Sequence, residues 1–208
     1  MTSVTLTPAA ERVVQFALTH FADRGYDAAS LNDIAVSAGI KKPSLYAHFA
    51  SKDELYMAVL GVALHNERDY VTAQFSAAAS DPVPGERYVD NLQDRYGSSS
   101  ALRFLFRAGF YPPPLIEPGV KSGFENYLTV IREHFQASLA VAYPDIETPR
   151  VELLTEAYMA LIDSLHVELI YGNEQAYSRR LEALRQLIKI IGLPGVPVVA
   201  SGKAGQRS

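Results

Sequence analysis

The chain has 208 residues with 19 Lys and Arg, 23 Asp and Glu, and a formal net charge of −4. Hydrophobic residues make up 48% and charged residues 20%, which excludes a chain that is disordered throughout. The absence of Cys excludes a disulfide framework, a thiolate metal site and a cysteine nucleophile.

Polar residues or Gly interrupt every apolar run before it reaches the length of a membrane span. The opening "MTSVTLTPAAERVV" has neither the basic start nor the long apolar core of a signal peptide. The expectation is a cytoplasmic protein with no membrane partner. Helical periodicity dominates the chain and no long alternating pattern occurs, so the fold class is all-α with about nine helices.

In chain order, Thr7-Pro8 reads as an N-cap with proline at the first helical position. Val13, Val14, Ala17, Leu18 and Phe21 then make one stripe, and Gly25 ends that helix near Arg24. Ser30 and Asp33 resemble a capping box opening a short helix that stops at Gly39. A third short helix follows near 43–49. Ser51 and Glu54 form a cleaner capping box, opening a long helix that reaches the mid-70s. "SDPVPGE", "YPPPLIEPG" and "AYPDIETP" are breaks, and between them helices are predicted over 85–96, 98–110, 120–141, 150–171 and 174–191. The last 16 residues read as a loose tail.

The third helix carries the strongest functional signal. At ~100° per residue Leu45 and Phe49 share one inward face, while Ala47 lies opposite with Pro43 and Ser44 beside it. Tyr46 and His48 occupy the shoulders, and Lys41 and Lys42 stand at the N-terminus. A face of small residues flanked by hydrogen-bonding rings and lysines can approach the major groove closely while its edges reach phosphates. Residues 30–52 also hold Lys41, Lys42 and Lys52 against Asp33 alone, in a chain that is acidic elsewhere. Ala35, Gly39, Ile40 and Leu45 have the spacing that two crossing helices of a helix-turn-helix require.

The run "LNDIAVSAGIKKPSLYAHFASKDELYMAVL", preceded by "FADRGYDAASL", resembles the N-terminal domain of the tetracycline-repressor (TetR/AcrR) family of transcriptional regulators over residues 8–60. The resemblance implies a three-helix DNA-binding domain over 1–50 and an effector-binding and dimerisation domain over 51–192, ahead of the tail at 193–208. It implies a ligand-responsive regulator, a repressor, that binds palindromic double-stranded operator DNA as a homodimer. The DNA-facing set is then Ser30, Lys41, Lys42, Pro43, Ser44, Tyr46, Ala47, His48 and Lys52, with Tyr46, His48 and Lys52 at positions that commonly touch the backbone. Lys41-Lys42-Pro43 stands where many members have Ser or Thr, a variable residue and Gly, so base preference does not transfer.

Farther along, Leu154, Leu161 and Leu165 line one apolar stripe, and Leu184 and Ile188 line another. The resemblance makes these the dimer contacts, and completion of the core within one chain is the competing reading. Phe104, Phe110, Phe124, Tyr127, Tyr158 and His166 are candidates to line a pocket for a small apolar or aromatic effector, with ordinary core packing as the alternative. No catalytic residues, metal site or cofactor are expected, because the chain holds no P-loop, no GxGxxG and no compact His/carboxylate motif. The rival class is a helical interaction or small-molecule-binding protein without sequence-specific DNA binding.

Overall fold

A computed structural model describes residues 6–77 and 83–191, with the side chains of 188–191 outside that description. Among the described residues there are ten helices and no strand: α1 Pro8–Ala28, α2 Leu31–Ser37, α3 Lys42–His48, α4 Lys52–Ala77, α5 Glu86–Asp90, α6 Leu92–Ser98, α7 Ser100–Phe110, α8 Glu117–Ala142, α9 Thr148–Tyr171 and α10 Glu174–Ile191. The tail expected over 193–208 lies outside the described residues, as does part of the break at 80–86.

The capping residues act as their chemistry demands. Thr7 Oγ1 accepts from the Ala10 N–H at 3.3 Å, and Ser30 Oγ accepts from Asp33 at 3.3 Å. Ser51 Oγ accepts from Glu54 N–H at 3.1 Å, while the Glu54 carboxylate reaches back to the Ala50 N–H at 2.6 Å.

Two boundaries differ from the sequence expectation. Gly25 sits at φ 78°, ψ 178°, so it interrupts α1, but a further turn resumes beyond it to Ala28. Carbonyls freed by this kink are taken by α7: Arg107 Nε donates to Ala22 O at 3.1 Å and Arg107 Nη2 to Asp23 O at 3.5 Å. The single helix expected over 85–96 is instead α5 and α6, divided at Asn91. The Asn91 amide donates to Arg87 O at 2.9 Å and to Gln74 on α4 at 3.1 Å, so the side chain spends its donors at the break.

One apolar core runs the length of the molecule. Phe21 of α1, Tyr56 of α4 and Phe104 of α7 form an aromatic cluster with ring separations of 4.9–6.4 Å, packing the N-terminal helices onto the body. In the body, Glu67 of α4 is 1% exposed and engages Arg95 of α6 through Nη2 at 2.7 Å and Nε at 3.2 Å. Ser99 Oγ donates to the same carboxylate at 2.7 Å. Removing one partner of such a pair typically costs about 3–5 kcal/mol, so it pins α4 to α6 firmly. Among the described residues, no helix is long and apolar enough to cross a membrane.

Candidate nucleic-acid interface

Helices α2 and α3 cross at a tight turn. Gly39 takes φ +70°, the left-handed conformation that a Cβ disfavours, and the Ile40 N–H closes the turn onto Ala35 O at 3.0 Å. Ala35, Ile34, Leu45 and Phe49 are buried beneath it. Burial of Leu45 and Phe49 fixes the rotation of α3 and leaves the other face outward.

That outward face holds Lys41, Lys42, Pro43, Ser44, Tyr46 and Ala47, all exposed, with Tyr46 at 46% despite its size. Lys41 is the N-cap and its side chain makes no capping hydrogen bond, so Pro43 in the first turn sets the helix start instead. The Lys42 ammonium lies 5.9 Å from the Tyr46 ring centroid. Ser30, His48 and Lys52 are half-buried. The Lys52 ammonium donates to Asp27 O at 3.3 Å and sits 4.5 Å from the centre of the Tyr26 ring. Partial burial there pulls the Lys52 pKa below its ordinary value, against the opposing pull of Asp27 and Asp53.

Several supporting contacts join residues to which the sequence alone assigns no role at this interface. Tyr26 donates to the Asp53 carboxylate, and burial followed by this bond pushes the phenol up to about 12. This contact joins the end of α1 to the start of α4. Arg24 bridges to Asp33 at 3.1 Å, and His20 Nε2 pairs with Ser37 Oγ at 3.1 Å, each tying α1 to α2. Opposite charges at Arg24 and Asp33, on either side of a helix break, were a usable signal. The Arg107 grip on α1 spans 85 residues and left none.

The six aromatic and histidine candidates of the body are not gathered into one lining. Phe110, Phe124 and Tyr127 form a run with successive ring centroids 6.2 and 6.1 Å apart. It starts at the surface with Phe110 (40% exposed) and ends at the buried Tyr127, whose hydroxyl lies 2.7 Å from that of Tyr88. Phe104 is in the cluster with Phe21 and Tyr56. Tyr158 stacks on Phe135 at 3.9 Å and donates to Gly85 O at 3.0 Å. His166 is fully buried 4.1 Å from the Phe106 ring, with neither ring nitrogen hydrogen-bonded, and burial lowers its pKa to about 3. Among the described residues no group of three or more His, Asp or Glu side chains is placed to hold a metal ion.

Leu154, Leu165 and Leu184 bury their side chains within this one chain, and Leu161 is half-buried. The side chain of Ile188 lies outside the described residues. Among the described residues, Leu153 and Tyr171 of α9 and Leu187 of α10 are the large apolar side chains turned outward there, at 47%, 71% and 41% exposed.

Comparison with known proteins places this geometry. A family model described as "Bacterial regulatory proteins, tetR family" matches residues 14–59, the stretch from mid-α1 into α4. The chain is 62% identical over 40 residues to the HTH-type transcriptional activator FasR of Mycolicibacterium smegmatis, covering 19% of this chain and 18% of FasR. It is 44% identical over 97 residues to IcaR of Staphylococcus epidermidis, a negative transcriptional regulator of the biofilm operon, covering 47% of this chain and 43% of IcaR. The matches thus span less than half the length of these curated relatives. In fold, the chain is similar to a tetR-family transcriptional regulator from Streptomyces coelicolor (TM-score 0.71, 18% identity, 91% of this chain and 83% of that one). It is also similar to a transcriptional regulator from Rhodococcus sp. (TM-score 0.63, 23% identity, 90% and 99%). The N-terminal helices are therefore similar to those of the tetR family of bacterial regulatory proteins, and the likeness of the whole chain to the solved structures is one of fold.

Proposed function

We propose that this protein is a ligand-responsive repressor that binds palindromic operator DNA as a homodimer, reading bases with the outward face of α3. The observation that carries the reading is the composition of that face. Lysines, Tyr46, Ser44 and Ala47 are exposed, over a turn packed on the buried Ile34, Ala35, Ala38, Leu45 and Phe49. Ala47 and Ser44 are small enough to let the helix sit deep in the major groove, while Lys41, Lys42, Tyr46, His48, Lys52 and Ser30 surround them with phosphate-seeking groups. Residues 1–50 act as the reader and 51–192 as the sensor and dimer body. Repression is supported by the negative regulator IcaR, whose matched segment is the longer of the two and extends past the reader.

The dimer face we infer is centred on Leu153, Leu161 and Leu187 rather than on the inner leucines. Ala157, Ala160 and Ser164 of α9 accompany Leu161, small residues that let a second helix approach closely. The effector reading rests on the Phe110–Phe124–Tyr127 run, which leads from the surface towards α4.

The test is selection from random duplex DNA by the purified protein. The expected product is an inverted repeat whose half-sites are spaced by about one helical turn, ~34–36 Å, or somewhat more. Recovery of only non-palindromic or single-stranded sequences would reject the reading.

A further inference from the structure

The buried carboxylate of Glu67 and the nearby Tyr70 ring together hold a cation. Its two oxygens take a side-on fork from Arg95, and Ser99 donates to one of them. The Arg95 guanidinium lies 4.3 Å from the centre of the Tyr70 ring, which adds a cation–π contact. Behind the carboxylate are the buried Tyr88 and Tyr127 hydroxyls, both raised by burial and further by the Glu67 charge. Tyr127 is also the inner end of the aromatic run that begins at exposed Phe110.

The two partners are not equally committed. The Glu67 side chain is 1% exposed, whereas that of Arg95 is 26% exposed. Arg95 can therefore turn out into water, but Glu67 cannot follow it. A bare carboxylate at that depth is strongly disfavoured, so whatever displaces Arg95 has to bring its own positive charge. An anion would set a second negative charge beside Glu67, and a neutral ligand would leave Glu67 uncompensated. A planar, delocalised cation reproduces the two-point fork on the carboxylate, which a single ammonium does not.

We propose that Glu67, Ser99 and the Tyr70 ring form a cation site, occupied by Arg95 in the free protein and taken over by an effector bearing an amidinium or guanidinium group on an aromatic body. This rests on the ligand-responsive reading above and gives that ligand its chemical class. The aromatic body extends from the cation site towards solvent, on the side of the carboxylate that Arg95 and the Tyr70 ring now cover. Exchange of Arg95 for the ligand unties α6 from α4, the helix whose first residues hold the reader through Asp53 and Tyr26.

The experiment is calorimetric titration of the full-length protein with benzamidinium, its neutral isostere benzamide, and benzoate. Benzamidinium should bind saturably and at least ~10-fold more tightly than either analogue. Arg95→Ala removes the resident competitor, so it should bind benzamidinium at least ~10-fold more tightly than the unaltered protein and gain melting temperature on adding it. Glu67→Gln keeps the shape and should abolish the preference for the cation. Absence of saturable binding, equal binding of benzamide, or no gain in Arg95→Ala would overturn the proposal. The preference of the unaltered protein for benzamidinium over benzamide decides the matter even where either variant fails to fold. A parallel titration of operator DNA separates the two readings: cation binding that leaves operator affinity unchanged keeps the site and rejects ligand-controlled release.

Discussion

Helices α3 and α9 place their chemistry on opposite sides. On α3 the apolar residues Leu45 and the following Phe49 are inside, and the lysines, Tyr46 and the small residues face out. On α9 three polar residues share the inner face with apolar ones: Thr155, His166 and Glu168 are buried beside Leu154, Ile162 and Leu165, while Leu153 is exposed. Each buried polar group has a different answer. Thr155 donates back to Val151 O at 2.7 Å, Glu168 pairs with Arg180 at 2.7 Å, and His166 is simply kept neutral. A surface-reading helix advertises its role in a short window. A helix of the body defines its role through partners tens of residues away.

The largest effects should come from charges placed on the two faces of α9 and α10. Leu165→Glu or Leu184→Glu puts a carboxylate into the core of a single chain and should cost about 3–5 kcal/mol, enough to unfold a marginal domain. Leu161→Glu combined with Leu187→Glu should instead give a folded monomer with normal helix content and weak operator binding. Sedimentation with circular dichroism distinguishes these outcomes, and a folded dimer in the second pair would remove the face from the interface.

On the reader, Lys41→Ala with Lys42→Ala should reduce operator affinity roughly tenfold or more and lower the salt slope by about two units per subunit. Fluorescence anisotropy across a salt series measures both. A parallel loss with an unchanged slope would mean that these lysines shape α3 rather than touch phosphate.

His166 supplies a pH test of the body alone. Its folded-state pKa is depressed to about 3 from 6.5, so the unfolded chain binds the proton first as pH falls. Stability from the neutral ring is intact above pH 6.5 and declines below it towards pH 3, by up to ~1.4 kcal/mol per pH unit. Nearby Asp163 is raised by burial and works in the opposite direction at the acid end, so urea unfolding between pH 6.5 and 5 is the clean window. His166→Phe should flatten that slope. An equal slope in both proteins would assign the acid sensitivity elsewhere.

The smallest effect is expected at the junction. Lys52 uses one N–H on Asp27 O, leaving two for a phosphate. Lys52→Ala should lower the salt slope by about one unit per subunit. An unchanged slope would make Lys52 solely an internal clamp on Tyr26.

The same contrast explains what was legible. The inward set of α3, the left-handed Gly39 and the Ser51–Glu54 box are local and were readable from spacing alone. Asn91 breaking one helix into two was hidden, because the decisive bond reaches Gln74 on another helix. The aromatic residues of the body are visible in the sequence. Their division into separate clusters depends on how α4, α7, α8 and α9 pack, which periodicity does not encode. Similarly, a helical stripe says that Leu165 and Leu184 are buried without saying by whom.

The central claim is that the small outward residues of α3 read bases while its charged edges only hold the backbone. The most direct measurement is selection of preferred duplexes by Ala47→Gln and Ser44→Ala variants beside the Lys42→Ala variant. The account predicts a changed base preference at defined operator positions for Ala47→Gln and Ser44→Ala, and an unchanged preference with uniformly weaker binding for Lys42→Ala. Unaltered preference in both groove-facing variants, with a new preference in Lys42→Ala, would contradict it.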